Sequence, residues 1–322
     1  MDWKEEFKQK MLGPYIELDD INSGFLLKFG NIPKQLFKYR EFDKKDNSIK
    51  NLVENTVWMN SPQNFNDPYD CALTANLNKV NPSMSGIAAL YDELGISKET
   101  QEVEFLKFLS TDDPMASAIR FLVKESILEE KLAEELISAI EDYNNVMIGQ
   151  FSDKTKDLSK VCSFSESEKS TLMWAHYASY HTGFCIEYDF TTLGPESLIT
   201  RFLYPVFYSE LLHDHSDFIN GIDINKANPL SIVLPVLTKS SDWAYEKEWR
   251  LVFSNNFMSK PQACLVPKAV RVYAGVKISP DNLSKLENVC TELEIPLIRM
   301  KMSNTSFSII PDINLNKWLS NT

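Results

Sequence analysis

The hydrophobic pattern along the chain changes period twice. Residues 1–30 read as a helix and a short connection. "QLFKYRE" (35–41) predicts a short strand, "NSIKNLVEN" (47–55) a small helix, and "TVWMNSP" (56–62) a strand closed by Pro62. "QNFNDPYD" (63–70) is a turn-rich loop, because Asn-Asp-Pro favours chain reversal. From 83 to 150 the spacing becomes helical in both period and propensity. Strand patterns resume at "KVCSFSES" (160–167), followed by a helix over "TLMWAHYASYH" (171–181). In "GFCIEYDF" (183–190), Phe184, Ile186, Tyr188 and Phe190 alternate with Cys185, Glu187 and Asp189. "RFLYPVFYS" (201–209) predicts a strand, and "LSIVLPVLTKSSD" (230–242) a helix or an extended run. "AVRVYAGVKIS" (269–279), a helix over "PDNLSKLENVCTEL" (280–293) and a final strand in "IPLIRMKMS" (295–303) complete the pattern. With no internal repeat, the layout is one α+β domain over 1–322, a mixed and mainly antiparallel sheet carrying a helical insertion at 83–150.

"WAYEKEWRLVF" (243–253) sharpens this layout. Read as one strand, it sets Trp243, Tyr245, Trp249, Leu251 and Phe253 on one face, and Glu246, Glu248 and Arg250 on the other. Glu246 and Glu248 would then point into one cleft, about 6–7 Å apart along the strand. The plain alternative is an exposed charged face.

Composition narrows the setting. At 43% hydrophobic and 11% aromatic, 322 residues supply a sizeable core. No apolar run reaches the roughly 20 residues of a membrane span, and the acidic N-terminus lacks a signal-peptide layout. Five cysteines without repeated spacing argue against a disulfide framework and for a reducing, cytoplasmic setting without membrane contact. The net charge of −12 disfavours broad binding to a nucleic-acid backbone.

Several side chains carry possible chemistry. Ser165 and Glu168 fit a capping box, with Ser170 a second cap candidate. His176 and His181 are five apart, not the i, i+4 that sets two ligands on one helix face, so no metal site is assigned. Cys185, inside an alternating strand, reads as a small core residue. Asn66, Asp67 and Asp70 serve turn chemistry, or else Asp67 and Asp70 join Glu187, Glu246 and Glu248 in a carboxylate cluster for a divalent cation.

"KYR", "WMNSPQNFNDPYD", "CSFSES", "LMWAHYASYHTGFCIEYDF" and "YEKEWRLV" together resemble a bacterial family catalogued as a domain of unknown function, number 2971. More distantly, the chain is similar to ADP-ribosyltransferases of the arginine–serine–glutamate class. There an arginine ends an early strand, a serine-x-serine opens a later one, and a Glu-x-Glu follows. Arg40, the "SFS" at 163–165 and the "EKE" at 246–248 match in that order, with Phe164 in place of the usual threonine. This second resemblance implies a transferase-like fold with NAD as substrate. Glu248 would stabilise charge at the nicotinamide ribose, and Glu246 would orient the acceptor or take its proton. Arg40, beside Tyr39, would meet the diphosphate; Ser163 would bind the ribose or hold Glu248. Ser165, His176 and Tyr177 would line the pocket. The implied role is a toxin or anti-phage effector that modifies a protein or nucleic-acid acceptor or hydrolyses NAD, with a regulatory protein on the insertion. The competing classes are a metal-dependent nuclease or phosphoesterase and a non-enzymatic partner-binding protein.

Overall fold

The computed structural model describes residues 2–13, 15, 18–77, 84–108, 110, 111, 113–219 and 228–312. Residues 83, 109 and 112 of the expected insertion lie outside the described residues. The N-terminal stretch forms two helices, α1 (Trp3–Leu12) and α2 (Leu18–Gly30), where one was expected. Strand β1 (Leu36–Arg40), helix α3 (Asn47–Val53) and strands β2 (Thr56–Met59) and β3 (Leu73–Thr74) follow. Between β3 and the next strand the described chain is helical: α4 (Met84–Glu93), α5 (Lys98–Phe108), α6 (Pro114–Lys124) and α7 (Glu130–Asp157). The helical stretch therefore runs seven residues past 150. Tyr91, Phe108, Ala118 and Phe121 give its first three helices a small core of their own.

Beyond it come β4 (Ser159–Ser165), α8 (Thr171–Tyr177), β5 (Phe184–Tyr188), α9 (Leu198–Arg201) and β6 (Leu203–Pro205). Short elements follow: β7 (Phe207–Ser209), β8 (His213–Asp214), α10 (Ser216–Ile219), α11 (Leu234–Leu237) and β9 (Thr238–Ser240). The chain continues with β10 (Glu248–Ser254), β11 (Gln262–Leu265), β12 (Arg271–Ala274), α12 (Pro280–Glu292), β13 (Leu297–Met302) and β14 (Ile309–Pro311). β13 was expected to be the last strand; β14 pairs with it instead.

Eight strands form the main sheet among the described residues, in the order β14-β13-β12-β5-β1-β4-β10-β6. Every neighbouring pair is antiparallel except β12 and β13, which α12 joins as a parallel crossover. Both faces are covered. Phe164, Ile186, Tyr188, Trp249 and Leu251 face one core with α3 and α12. Val161 and Val252 face a second core with α1 and α11, and Phe37, Tyr39 and Cys185 a third with α8. Double coverage explains why every β5 residue is buried despite its alternation. Its one carboxylate, Glu187, is satisfied by Tyr273 at 2.6 Å, Gln35 at 3.0 Å and Arg271 at 3.3 Å.

Two local expectations fail for identifiable reasons. Ser165 does not cap α8; Ser170 does, accepting from the Met173 N–H, while the Ser165 hydroxyl is drawn to the Glu246 carbonyl. The single strand over 243–253 also breaks. Ser241–Glu246 is a 3-10 helix, and Lys247 adopts a left-handed conformation at φ 45°, so the strand begins at Glu248. The Ser165 hydroxyl on the Glu246 carbonyl (2.7 Å) and the Glu166 N–H on the Lys247 carbonyl (3.1 Å) hold this unusual turn.

Candidate functional site

The sheet opens between β1 and β4. These strands share a single register pair, Phe37 opposite Ser165, and then diverge. The Lys38 ammonium spans the opening to the Ser163 carbonyl at 2.8 Å, a group the splayed ladder leaves without a strand partner on that side. A cavity of about 250 Å³ fills the split, lined by both strands and by Asp70, Tyr177, Lys239, Glu246 and Glu248. It joins an outer cleft of about 920 Å³ through shared walls at Lys38, Tyr39, Arg40, Trp58 and Tyr177.

The floor of the inner cavity is a network of five charges. Lys239, at the middle of β9, reaches Glu246 at 2.6 Å, Glu248 at 3.0 Å and Asp70 at 3.5 Å. Arg250 donates to Glu248 through Nε (2.8 Å) and Nη2 (3.2 Å), to Asp70 at 2.8 Å and to the Val236 carbonyl at 2.6 Å. The Tyr177 hydroxyl donates to Glu246 at 2.7 Å. Each of the five is at most 6% exposed, so water does not screen them. Three carboxylates face two cations, so the five groups hold one more acid than base.

The two glutamates are shifted in opposite directions. Burial, followed by the neighbouring Glu248 charge, raises the Glu246 carboxyl despite its contact with Lys239. Burial also works to raise Glu248, but Arg250 and Lys239 override it and hold this carboxyl well below the usual range, with a further contribution from the Ser163 side chain. Burial and then Glu246 push the Tyr177 phenol up, so it stays a donor. Arg250 and Lys239 thus favour the ionised form of Glu248, whereas burial and the Glu248 charge disfavour that of Glu246.

The expected site residues separate accordingly. Arg40, Tyr39, Ser163, Ser165, Tyr177, Glu246 and Glu248 all line the inner cavity. His176 lines only the outer cleft, its ring against Tyr177 and Trp243. Ser165 is fully buried with its hydroxyl committed to Glu246, and Tyr39 donates to the Ser167 carbonyl at 2.6 Å and meets Trp174 edge-on. Both are supports in this arrangement. Arg40 lies on the sheet face opposite Ser165 by strand parity, yet reaches the cavity because the strands have parted. Glu246 and Glu248 do converge, but through the turn at Lys247 and their common partner Lys239, not as neighbours along one strand.

Sequence reasoning missed Lys239 entirely and left Asp70 between turn chemistry and a carboxylate cluster; the structure gathers Asp70, Glu246 and Glu248 around Lys239. A lone lysine ending the apolar run "IVLPVL" was the only local sign of Lys239. Arg250 was more legible, since strand parity puts it beside Glu248. Lys239 also bears on the metal reading: its ammonium stands among Asp70, Glu246 and Glu248, where a divalent cation would have to sit. No group of three or more histidine, cysteine or acidic side chains among the described residues is disposed to hold a metal ion. No described helix is long and apolar enough to cross a membrane.

Residues 173–251 match the family model described as "Protein of unknown function (DUF2971)". The matched stretch contains Tyr177, Lys239, Glu246, Glu248 and Arg250 but not Arg40, Asp70, Ser163 or Ser165, and it supports the resemblance to that family. No curated protein and no solved structure matches the chain.

Proposed function

We propose that the chain is an NAD-dependent enzyme of the ADP-ribosyltransferase type, transferring ADP-ribose to a protein or nucleic-acid acceptor or to water. One observation carries the reading: Arg40, Ser163 and the Glu246–Glu248 pair, far apart in sequence, line one cavity at a split between adjacent strands. A transferase-like arrangement of the sheet is part of the same proposal. Loss of nicotinamide leaves positive charge on the ribose, and a carboxylate kept ionised opposite that charge stabilises it. Glu248 suits this role because Arg250 and Lys239 hold it anionic. Glu246, with its raised pKa, suits proton removal from the acceptor. Among the described residues no hydrogen bond or ion pair holds the Arg40 guanidinium, which leaves it for a diphosphate where the two chambers meet. The inner cavity alone is below the roughly 300–1,000 Å³ of ligand pockets, so a dinucleotide needs the outer cleft as well.

In the cell the proposed role is that of a toxin or anti-phage effector. The test is NAD consumption and nicotinamide release by the purified chain, with and without chelator and in the presence of cell extract as acceptor source. Chelator-resistant loss of NAD that Glu248→Gln abolishes is the expected outcome. No loss under any of these conditions rejects the proposal, and chelator-sensitive cleavage of nucleic acid instead favours the metal-dependent alternative.

A further inference from the structure

Helix α7 presents an apolar stripe that nothing in the described chain covers. At 100° per residue, Leu132, Leu136, Ala139, Tyr143, Val146 and Met147 fall within one third of the helix circumference. All six are exposed, Tyr143 at 63% and Val146 at 58%. The stripe is about 22 Å long. It is separate from the helix's inward side, where Ala133, Ser152 and Thr155 are buried. A 28-residue helix with a second, solvent-facing apolar stripe is unusual for a surface helix, which buries one stripe and leaves the rest polar.

The charge around the stripe selects its occupant. Between residues 129 and 147 the chain carries Glu129, Glu130, Glu134, Glu135, Glu141 and Asp142 against Lys131 alone. Glu129, Glu135 and Asp142 flank the stripe directly. A second copy docked on this face would set these three flanking carboxylates against three, and an anionic lipid surface would meet the same repulsion. A helix with an apolar stripe and lysine or arginine flanks instead complements both the shape and the charge. We propose that this face of α7 docks a basic amphipathic helix of a partner polypeptide.

The surface also has a route to the cavity. Only Leu158 separates α7 from β4, which carries Ser163 and Ser165. The last turns of α7 grip the loop leading to Asp70: the Ser61 hydroxyl donates to Asp157 at 3.3 Å, Gln63 to the Asp153 carbonyl at 3.3 Å, and Lys156 to the Pro68 carbonyl at 2.8 Å.

The test uses the full chain and a fluorescein-labelled lysine/leucine amphipathic peptide of about 18 residues, long enough to cover the stripe. Fluorescence anisotropy should show saturable binding, weakened about 30-fold or more by the double variant Leu136→Glu, Tyr143→Glu, the loss expected of central anchor positions. Leu211→Glu, at a site 78% exposed elsewhere, should bind as the parent does. A glutamate/leucine peptide of equal length should not bind. The altered side chains are exposed, so unchanged thermal melting is expected and excludes unfolding as the cause. Four outcomes overturn the proposal: no binding by the parent, equal binding by the double variant, a concentration-dependent dimer that the double variant abolishes, or preferential binding to phosphatidylglycerol vesicles.

Discussion

Replacing Lys239 by methionine removes one charge while nearly keeping the side chain's volume, and the expected cost depends on pH. The ammonium serves three carboxylates within 3.5 Å, and its loss leaves Asp70, Glu246 and Glu248 with Arg250 alone. Breaking a buried pair in this way costs about 3–5 kcal/mol when the orphaned charge stays charged. The protein has an escape, which is to protonate Glu246. Its carboxyl is already raised, and it faces Glu248, Asp70, Tyr177 and Tyr245 once Lys239 is gone. Protonating an ordinary glutamate, of pKa about 4.3, at pH 7 costs about 3.7 kcal/mol at 1.36 kcal/mol per pH unit, and at pH 5 only about 1 kcal/mol. The escape therefore caps the loss near 4 kcal/mol at neutral pH and near 1 kcal/mol in mild acid. A carboxyl whose folded pKa lies above its unfolded value binds more protons when folded. Its contribution is intact below the unfolded pKa and is lost as pH rises toward the folded one. Urea denaturation of Lys239→Met and the parent at about pH 5 and about pH 7.5 measures both values. An equal loss at the two pH values, or a loss under about 1 kcal/mol at neutral pH, refutes the account of Lys239 as the buried counter-charge.

Other outcomes are specific enough to check. Glu248→Gln should lower NAD turnover by a factor of about 100–1000, measured by nicotinamide release, with a rate equal to the parent's excluding the assigned role. Because Glu248 is held below its unfolded pKa, the parent's stability should fall as pH drops below about 4.3 toward that depressed value, and Glu248→Gln should flatten this acid limb in urea titrations. Arg40→Ala should raise KM for NAD more than it lowers kcat and leave the melting temperature unchanged, since no described partner is orphaned; a lost fold would contradict that geometry. Gly183→Ala should destabilise by about 1–3 kcal/mol in denaturant melts. A Cβ there would stand 2.1 Å from the Arg40 carbonyl, where β5 begins beside the end of β1, and neutral behaviour would show that this backbone contact relaxes freely.

Local pattern determined much of the framework. Strand pattern placed β1, β4 and β5, and helical period with strong propensity marked the stretch that became α4 to α7. These signals are short-range, because a strand or helix exposes its period within a few residues. The aromatic side of 249–253 was equally plain, and Trp249, Leu251 and Phe253 pack in one core. Pattern failed at 243–247, where the aromatic spacing imitates a strand. A 3-10 turn and a left-handed Lys247 are set there by hydrogen bonds from Ser165 and Glu166, about eighty residues away in the chain. The candidate site divides along the same line. Glu248 and Arg250 could be paired on paper because strand parity is local. The split between β1 and β4, the reach of Arg40 into it and the placing of Lys239 among Asp70, Glu246 and Glu248 could not be. A buried charge takes its meaning from whatever the fold brings within a few ångströms of it. In water each of these five side chains would be screened and independent; excluded from water they act as one network, and only the tertiary structure decides that Glu246 is shifted up and Glu248 down.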